Sequence, residues 1–417
     1  MKVYKFGGAS IKDAQAIRNV LNVLQTVGYN DCLIIASAMG KTTNALEGVV
    51  HAYFQLPEEL QNSIELVRNY HLEIVEDLFL NKNHDIYRKI STLFQELEHF
   101  LRNNKSPNYN FVYDQIVSYG EILATTILSD FLNDEKVENK WIDARNLIKT
   151  DTTYRDAAIN WEATEKNICS NLKEHQMYIT QGFIGSDENN FSVTLGREGS
   201  DYSAAIFAYC LNASSVTIWK DVPGVLNADP RYFDETVLLN KISYHEAIEL
   251  AFYGASVIHP KTLQPLQRKN IPLYVKSFIN PTLPGTVVSS GFGIEPETAC
   301  FIVKKDQLLI SISSKDFSFI MENQVSDIFK IFANNHIKVN VIQNSAISFT
   351  VCVDDKFGNF HTILNDLAAK FKITYNENVS LYTIRHFSSV DAQKITANKN
   401  VLLQQVNRET IQIVIKD

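Results

Sequence analysis

Short apolar runs alternate with amphipathic stretches through the first 290 or so residues, and the two kinds of pattern predict alternating strands and helices. A buried strand covers Met1 to Phe6. Gly7-Gly8 break it, and helical spacing follows from about Asp13 to Thr26. Leu33 to Ala36 form a second apolar strand, which leads into the turn SAMGKTTNAL. From about Leu56 to Arg102 the period is helical: Leu60, Ile64 and Val67, then Leu72, Val75, Leu78 and Phe79, recur at i, i+3/i+4. A second helix of this block covers Asp85 to Asn103. The block, about residues 55–110, interrupts an α/β pattern and is expected to be an inserted helical subdomain or lid support. One long helix is predicted over Val112 to Phe131, then a strand-like stretch from Val137 to Ile142, a helix from Ile159 to His175 and a strand from Gln176 to Gly182. Asp187 to Asn190 make the turn of a hairpin. The hairpin runs into SVTLGREGSDYSAA, residues 192–205, which has the pattern of strand, glycine-rich turn, Ser200-Asp201 at the helix start, and helix from Tyr202.

Beyond this stretch a strand, Ser215 to Lys220, ends in a long loop of charges and turn formers from Asp221 to Arg231. Helices are expected over Ser243 to Tyr253 and Lys261 to Arg268, and strands over Ile271 to Lys276 and Thr286 to Val288. Gly291 to Glu297 has the composition of a linker. The remainder predicts strands at Cys300–Val303, Leu308–Ser313, Val339–Gln343, Ala346–Val353, Ser380–Arg385, Val401–Val406 and Thr410–Ile415. Helices lie between them at Gln324–Asn335, Phe360–Lys370 and Ser389–Ala397. The order β-α-β-β-α-β, nearly repeated, implies two small ferredoxin-like modules in tandem. Modules of that size need to pack on each other or on a second chain.

The length, 417 residues, allows two or three domains, and 45% hydrophobic with 21% charged residues is ordinary for a globular chain. A formal charge of −8 gives no support to nucleic-acid binding. The five cysteines are scattered, without metal-site spacing, and suit buried thiols in a reducing compartment. The opening MKVYKFGG is not a signal peptide, and no apolar run approaches the ~18 residues of a membrane span. A cytoplasmic soluble protein with no membrane partner is expected.

The candidate chemistry sits at strand ends. In open α/β sheets ligands bind beyond the carboxyl ends of the strands. KFGGAS is therefore a phosphate-site candidate, with Lys5 as a point charge and Gly7 and Gly8 allowing close approach. The alternative is a surface lysine beside a turn. Gly40-Lys41-Thr42 fails as a P-loop, because the first glycine of that motif would fall on Ile35. Ser37, Thr42 and Thr43 remain as hydroxyls for a small substrate. In SYGEILAT, Glu121 is a carboxylate beside an apolar helix face, either solvent-facing or paired with a cation. In the 192–205 stretch the helix start is an anion site, Arg197 suits a bidentate hold on a carboxylate or phosphate, and Asp201 suits a cap or the orientation of a metal–phosphate group. The alternative there is an ordinary strand–helix turn with a charged rim. His259 reads as a capping or packing residue.

Six segments together resemble the aspartate kinases within the wider amino-acid kinase family. They are KFGGAS, SAMGKTTN, SYGEILA, GFIGSDE with TLGREGSDYSAA, WKDVPGVLNADPR and YGASVIHPKT, spanning most of residues 2–266 in family order. The C-terminal modules resemble the regulatory ACT pair of the same enzymes. The resemblance implies an α/β amino-acid kinase fold, a mainly parallel sheet sandwiched by helices over residues 1–290, followed by tandem α+β ACT modules over 298–417. The first module would take about 306–371, the second 298–305 with 372–417. It also implies phosphoryl transfer from ATP with Mg²⁺ to the side-chain carboxylate of L-aspartate, giving 4-phospho-L-aspartate, the entry step to lysine, threonine and methionine synthesis. Lys5 and Asp201 would be catalytic. Glu121 would bind the substrate ammonium and Arg197 its α-carboxylate, with Ser37, Thr43, Phe183 and Ser200 around the substrate. Gly7, Gly8, Ser10, Lys220, Asp221 and Arg231 would serve phosphate and nucleotide. No protein-held metal is implied, the metal being carried by the phosphates. An amino-acid effector would bind near Val339, Asn340, Gln343 and Asn344, and the ACT modules would form a homodimer. No fused homoserine dehydrogenase is expected. Departures from the family pattern are Ala9 and Lys220 where threonine is usual, Leu226 for tyrosine and Ser256 for lysine. Lys220 is expected to supply the charge that Ser256 lacks. Rival readings are another amino-acid kinase, of the acetylglutamate or glutamate 5-kinase type, and a catalytically inactive amino-acid sensor.

Overall fold

The strand β1 (Lys2–Phe6) is buried at every residue after its first, as a central strand covered on both faces must be. The computed structural model describes residues 1–255, 258–316 and 318–416, so Ser256 lies outside the described residues. The chain divides into two compact units. The first comprises Met1–Val225, Leu238–Ile248 and Val257–Ile294, the second Leu226–Val237, Glu249–Ser256 and Glu295–Asp417.

In the first unit β1 is flanked by β2 (Cys32–Ala36) on one side. Beyond β2 lie β4 (Tyr178–Gln181) and, outermost, β3 (Lys140–Trp141). A short hairpin, β5 (Ile184–Ser186) with β6 (Ser192–Thr194), stands apart from this sheet. On the other side of β1 are β7 (Ser215–Lys220), β9 (Leu273–Ser277), β10 (Thr286–Ser289), β8 (Lys241–Ser243) and β11 (Ile294–Glu295). Strands β3, β4, β2, β1, β7 and β9 are mutually parallel. The chain first builds outward from β1 through β2 and later through β7. The carboxyl end of β1 is therefore the topological switch point, where such a sheet opens a crevice.

The helices are α1 (Ala14–Val27), α2 (Thr42–Gln55), α3 (Leu60–Leu78), α4 (Asp85–Asn103), α5 (Tyr109–Val117), α6 (Tyr119–Asp134), α7 (Trp161–Asn171) and α8 (Gly199–Cys210), with later ones at Tyr244–Tyr253 and Pro260–Lys269. Asp13 starts α1 by accepting the Ala16 N–H at 2.8 Å, an ordinary N-cap. The helical block begins earlier than its apolar period suggests, because α2 starts directly from the SAMGKTT turn. Ile64, Val67, Ile74, Phe94 and Leu97 of this block share one core with β1 and β2, so it is part of the unit's main packing.

Two expectations need correction here. The long helix over Val112 to Phe131 is interrupted at Ser118, whose hydroxyl donates to the Gln115 carbonyl and competes with the helical ladder. The helix after the glycine-rich turn starts at Gly199, not Tyr202. Glu198 takes a left-handed φ of 53°, and its carbonyl accepts from both Asp201 and Tyr202. That puts Asp201 inside the first turn of α8, facing the sheet, instead of ahead of the helix.

The second unit contains a six-stranded antiparallel sheet. Its strands are β12 (Cys300–Ser313), β13 (Lys338–Asn344), β14 (Ser348–Asp354), β15 (Lys372–Arg385), β16 (Asn400–Val406) and β17 (Thr410–Lys416), in the order β13-β14-β12-β15-β17-β16. The two ferredoxin-like modules are thus halves of one sheet. Cys300–Val303 and Leu308–Ser313 are one 14-residue strand with a register irregularity near Gln307, and β15 is equally long, starting at Lys372. Asp306 in a left-handed conformation, φ 56°, marks the irregularity that made the two halves look separate. Each half carries its own apolar cluster, one around Ile310, Phe332 and Phe360, another around Ile384, Ile411 and Ile413.

Candidate active site

Lys5 sits one residue before the end of β1, at the switch point, and its ammonium lies 2.6 Å from Asp201 Oδ1 in α8. Both side chains are nearly closed off, at 10% and 5% exposure. The pair forms one wall of a cavity of about 340 Å³, large enough for an amino acid beside a phosphate chain. Lys220, at the end of β7, reaches the same carboxylate from the other side, 3.9 Å from Oδ2.

The opposite wall is Glu121 on α6. Its residue is 2% exposed, Oε1 accepts the Ala38 N–H at 3.2 Å, and Oε2 is buried without a hydrogen-bond partner. Burial pushes its carboxyl up to about 8, against smaller opposing effects of the Ala38 N–H and the Lys5 charge. Two glycines make this approach possible. A Cβ on Gly120 would stand 2.9 Å from the Ala38 methyl, and one on Gly8 would stand 2.7 Å from the Ala38 carbonyl. The turn after β2 is thereby pressed between the turn after β1 and the start of α6.

Ser37, Thr43, Phe183 and Ser200 also line the cavity. Phe183 takes a left-handed φ of 67°, and its N–H is held by the Ser203 hydroxyl at 2.9 Å. Gly7 lies beside Lys5, within 3.5 Å of its ammonium if a Cβ is added. Ser10 is buried, with its hydroxyl donating to the Trp219 carbonyl at 3.3 Å, which ties the β1 turn to β7.

Other residues read from the sequence stand elsewhere. Arg197 is exposed on the glycine-rich turn and outside the cavity lining, because the left-handed Glu198 turns the chain between them. Asp221 is exposed, one residue past the end of β7, and is also outside the lining. Arg231 belongs to the second unit, is exposed, and forms a bidentate pair with Asp229 two residues away, at 2.6 Å for the closest contact. Val339, Asn340, Gln343 and Asn344 lie on β13, an edge strand. Asn340 sits at a register irregularity. Its side chain accepts from Lys304 at 2.9 Å and donates to Gln307 at 2.8 Å, while Gln343 and Asn344 are exposed. His259 caps the helix Pro260–Lys269, accepting the Lys261 N–H at 3.2 Å.

Two residues escaped the sequence reading. Glu198 lines the cavity, and its Oε2 is buried without a hydrogen-bond partner. A charged residue in a turn reads as solvent-facing, and the only hint was its place between two glycines. Asp114 on α5 is fully buried. Its carboxylate accepts the Arg155 and Thr194 N–H groups at 3.0 and 2.9 Å and the Thr194 hydroxyl at 2.8 Å. Burial raises it to about 6 against those bonds. It ties the segment that leads to Glu121 to the strand that leads to the glycine-rich turn. An acid amid Val112, Tyr113, Ile116 and Val117 was the available signal.

The donor set fits a phosphorylated ligand and a zwitterion: two ammoniums around one carboxylate, a close glycine turn, and a second carboxylate with an unsatisfied buried oxygen. Among the described residues no group of three or more His, Cys, Asp or Glu is arranged to hold a metal ion. No described helix is long and apolar enough to cross a membrane. Cys169 is exposed, the other four cysteines are buried, and all five are free thiols.

Residues 1–277 match the model of the amino acid kinase family. The lysine-sensitive aspartokinase 3 of Escherichia coli is 30% identical over 404 residues, covering 92% of this chain and 86% of that protein. The structure of E. coli aspartokinase III in complex with lysine and aspartate, its T-state, is similar with a TM-score of 0.84 at 26% identity over 99% of this chain and 95% of that one. The R-state of the same enzyme, in complex with aspartate and ADP, gives 0.83 at 26% identity over 100% and 96%. The chain spans 32% and 54% of the bifunctional aspartokinase/homoserine dehydrogenases of Arabidopsis thaliana and Buchnera aphidicola that it also matches.

Proposed function

The chain belongs to the aspartokinases of the amino acid kinase family, and from that premise we propose that it transfers the γ-phosphoryl group of ATP to the side-chain carboxylate of L-aspartate. The observation that carries this reading is the convergence of Lys5, Glu121 and Asp201, from three separate segments, at the carboxyl end of β1. The products are 4-phospho-L-aspartate and ADP. A bond forms between a carboxylate oxygen and the γ-phosphorus, the bond to the β–γ bridging oxygen breaks, and ADP keeps the electron pair. The acceptor carboxylate is already ionised near neutral pH, so no proton has to be removed. Catalysis then consists of positioning and charge neutralisation.

Lys5 faces the transferring group, held in place by Asp201. Glu121 receives the substrate ammonium on its unsatisfied oxygen. Ser37, Thr43, Phe183 and Ser200 shape the substrate pocket, and Gly7, Gly8 and Ser10 let phosphates approach the backbone. Arg197, exposed on the turn beside the cavity, clamps the α-carboxylate once substrate is bound. Asp221 contributes to holding nucleotide. Mg²⁺ carried on the phosphates would supply further charge neutralisation when bound. In this reading the protein is cytoplasmic and works as a homodimer joined through residues 298–417. An amino-acid effector binding near Val339 to Asn344 regulates the entry step to lysine, threonine and methionine synthesis. The name of the E. coli relative, lysine-sensitive, supports lysine as the first effector to try.

The test is a coupled ADP-release assay with MgATP and L-aspartate, in which hydroxylamine traps the acyl phosphate, run with lysine or threonine added. Aspartate-dependent turnover that yields the hydroxamate is the expected result. Turnover with acetylglutamate or glutamate in place of aspartate would reassign the substrate. No turnover, with amino-acid binding retained in calorimetry, would leave a sensor.

A further inference from the structure

The register of β1 and β7 puts a second lysine in the cavity. Lys5 stands opposite Ile218, and Phe6 opposite Trp219. Side chains two apart on a strand share a face, so Lys220 projects to the same side as Ile218 and Lys5, roughly 6–7 Å farther along the strand direction. The other face confirms the alternation, for there Phe6 and Trp219 stack with ring centroids 6.1 Å apart and planes 10° from parallel. Asp201 lies between the two ammoniums, Oδ1 toward Lys5 at 2.6 Å and Oδ2 toward Lys220 at 3.9 Å. Lys5 has little freedom left. Lys220 is the more open of the two, 25% exposed against 10%, and it lines the cavity.

We infer that Lys220 is a second catalytic cation, aimed with Lys5 at the transferring γ-phosphoryl group, and that Asp201 sets the spacing of the pair. This rests on the kinase reading above and makes it more specific. A general nucleotide contact would touch groups common to ADP and ATP. A lysine sharing a carboxylate with Lys5 faces the phosphoryl that leaves. Two ammoniums on either side of one carboxylate hold their positions before the nucleotide enters. They then exchange part of that contact for oxygens on which charge accumulates during transfer. The bonds that form and break are those of the transfer already described.

The test compares Lys220→Met and Lys220→Arg with the unsubstituted chain by calorimetry, using ADP and the non-hydrolysable triphosphate AMP-PNP, each with Mg²⁺, together with steady-state kinetics. For Lys220→Met the expected result is about a tenfold loss of AMP-PNP affinity with ADP affinity changed by less than about twofold. Its kcat should fall on the order of 10- to 100-fold with little change in the aspartate KM. Lys220→Arg should recover most of the preference for AMP-PNP. Equal losses for the two nucleotides would mean that Lys220 reads the shared phosphates, and would overturn the inference. Unchanged binding and turnover would reduce Lys220 to a charge partner of Asp201 and overturn it too. If the unsubstituted chain binds neither nucleotide, the kinase reading itself fails and this inference falls with it. A failure confined to the Lys220 variants leaves the kinase reading standing.

Discussion

The cavity has two acidic walls, and they are built in opposite ways. Asp201 is buried but supplied with positive charge from both sides, Lys5 and Lys220. Glu121 is buried just as deeply, and each of the two acids has one oxygen without a hydrogen-bond partner, but among the described residues no cation stands within ion-pair distance of Glu121. A carboxylate between ammoniums stores arranged positive charge, which suits the phosphate end. A buried acid without an ion pair holds its proton until a cation arrives, which suits an incoming ammonium. The two walls thus differ in whether their acid is ion-paired before any ligand enters.

Removing the arranged charge should have the largest effect. Lys5→Ala is expected to lower kcat on the order of 10²–10³-fold with modest change in either KM. A change confined to KM would move Lys5 from the transition state to ground-state binding. At the other wall, Glu121→Gln should raise the aspartate KM by about 10- to 100-fold, the loss of one charge-assisted contact, and leave the ATP KM nearly unchanged. Equal effects on both substrates would erase the distinction between the walls.

The same substitution should stabilise the free protein. With its carboxyl raised to about 8 from an ordinary 4.5, folded Glu121 holds a proton that the unfolded chain has lost. Stability therefore falls as pH climbs from about 4.5 toward 8. Glu121→Gln escapes this, so its advantage in thermal unfolding should be largest at pH 8.5 and shrink toward pH 5. A destabilised variant at pH 8.5 would show that Glu121 is already satisfied in the free protein.

Two smaller effects sharpen the contrast. Asp114→Asn should raise the aspartate KM roughly 3- to 10-fold with smaller change for ATP, because Asp114 ties the approach to Glu121 to Thr194. Its loss of stability, about 1–3 kcal/mol, should be similar with and without ATP. Aspartate binding near pH 7 should release close to one proton as the ammonium displaces it from Glu121, and the release should vanish near pH 9. Calorimetry in buffers of different ionisation enthalpy reads this directly. Proton uptake instead would contradict the pairing.

Much of this was legible along the chain because it depends on local signals. The strand before Gly7-Gly8 and the hairpin before the glycine-rich turn follow from apolar runs and turn residues, and the structure has both. Lys5, at a strand end, follows from the rule for open sheets, whereas Lys220 was marked only by the family resemblance. What was not legible depends on backbone sign or on distance. The left-handed Glu198 moves the helix start and turns Arg197 away from the cavity lining, and nothing in the letters fixes that φ. Asp114 finds its partners 41 and 80 residues away. Ser118 interrupts a helix whose apolar period runs through it unbroken.

The long strands β12 and β15 run side by side through both halves of the six-stranded sheet. The irregularity at Asp306 and Gln307 is where the two halves keep separate registers along the same pair of strands. A cut through its middle, between β12 and β15, would leave both remnants with open edges. The unit is a single mechanical plate that happens to carry two folding patterns.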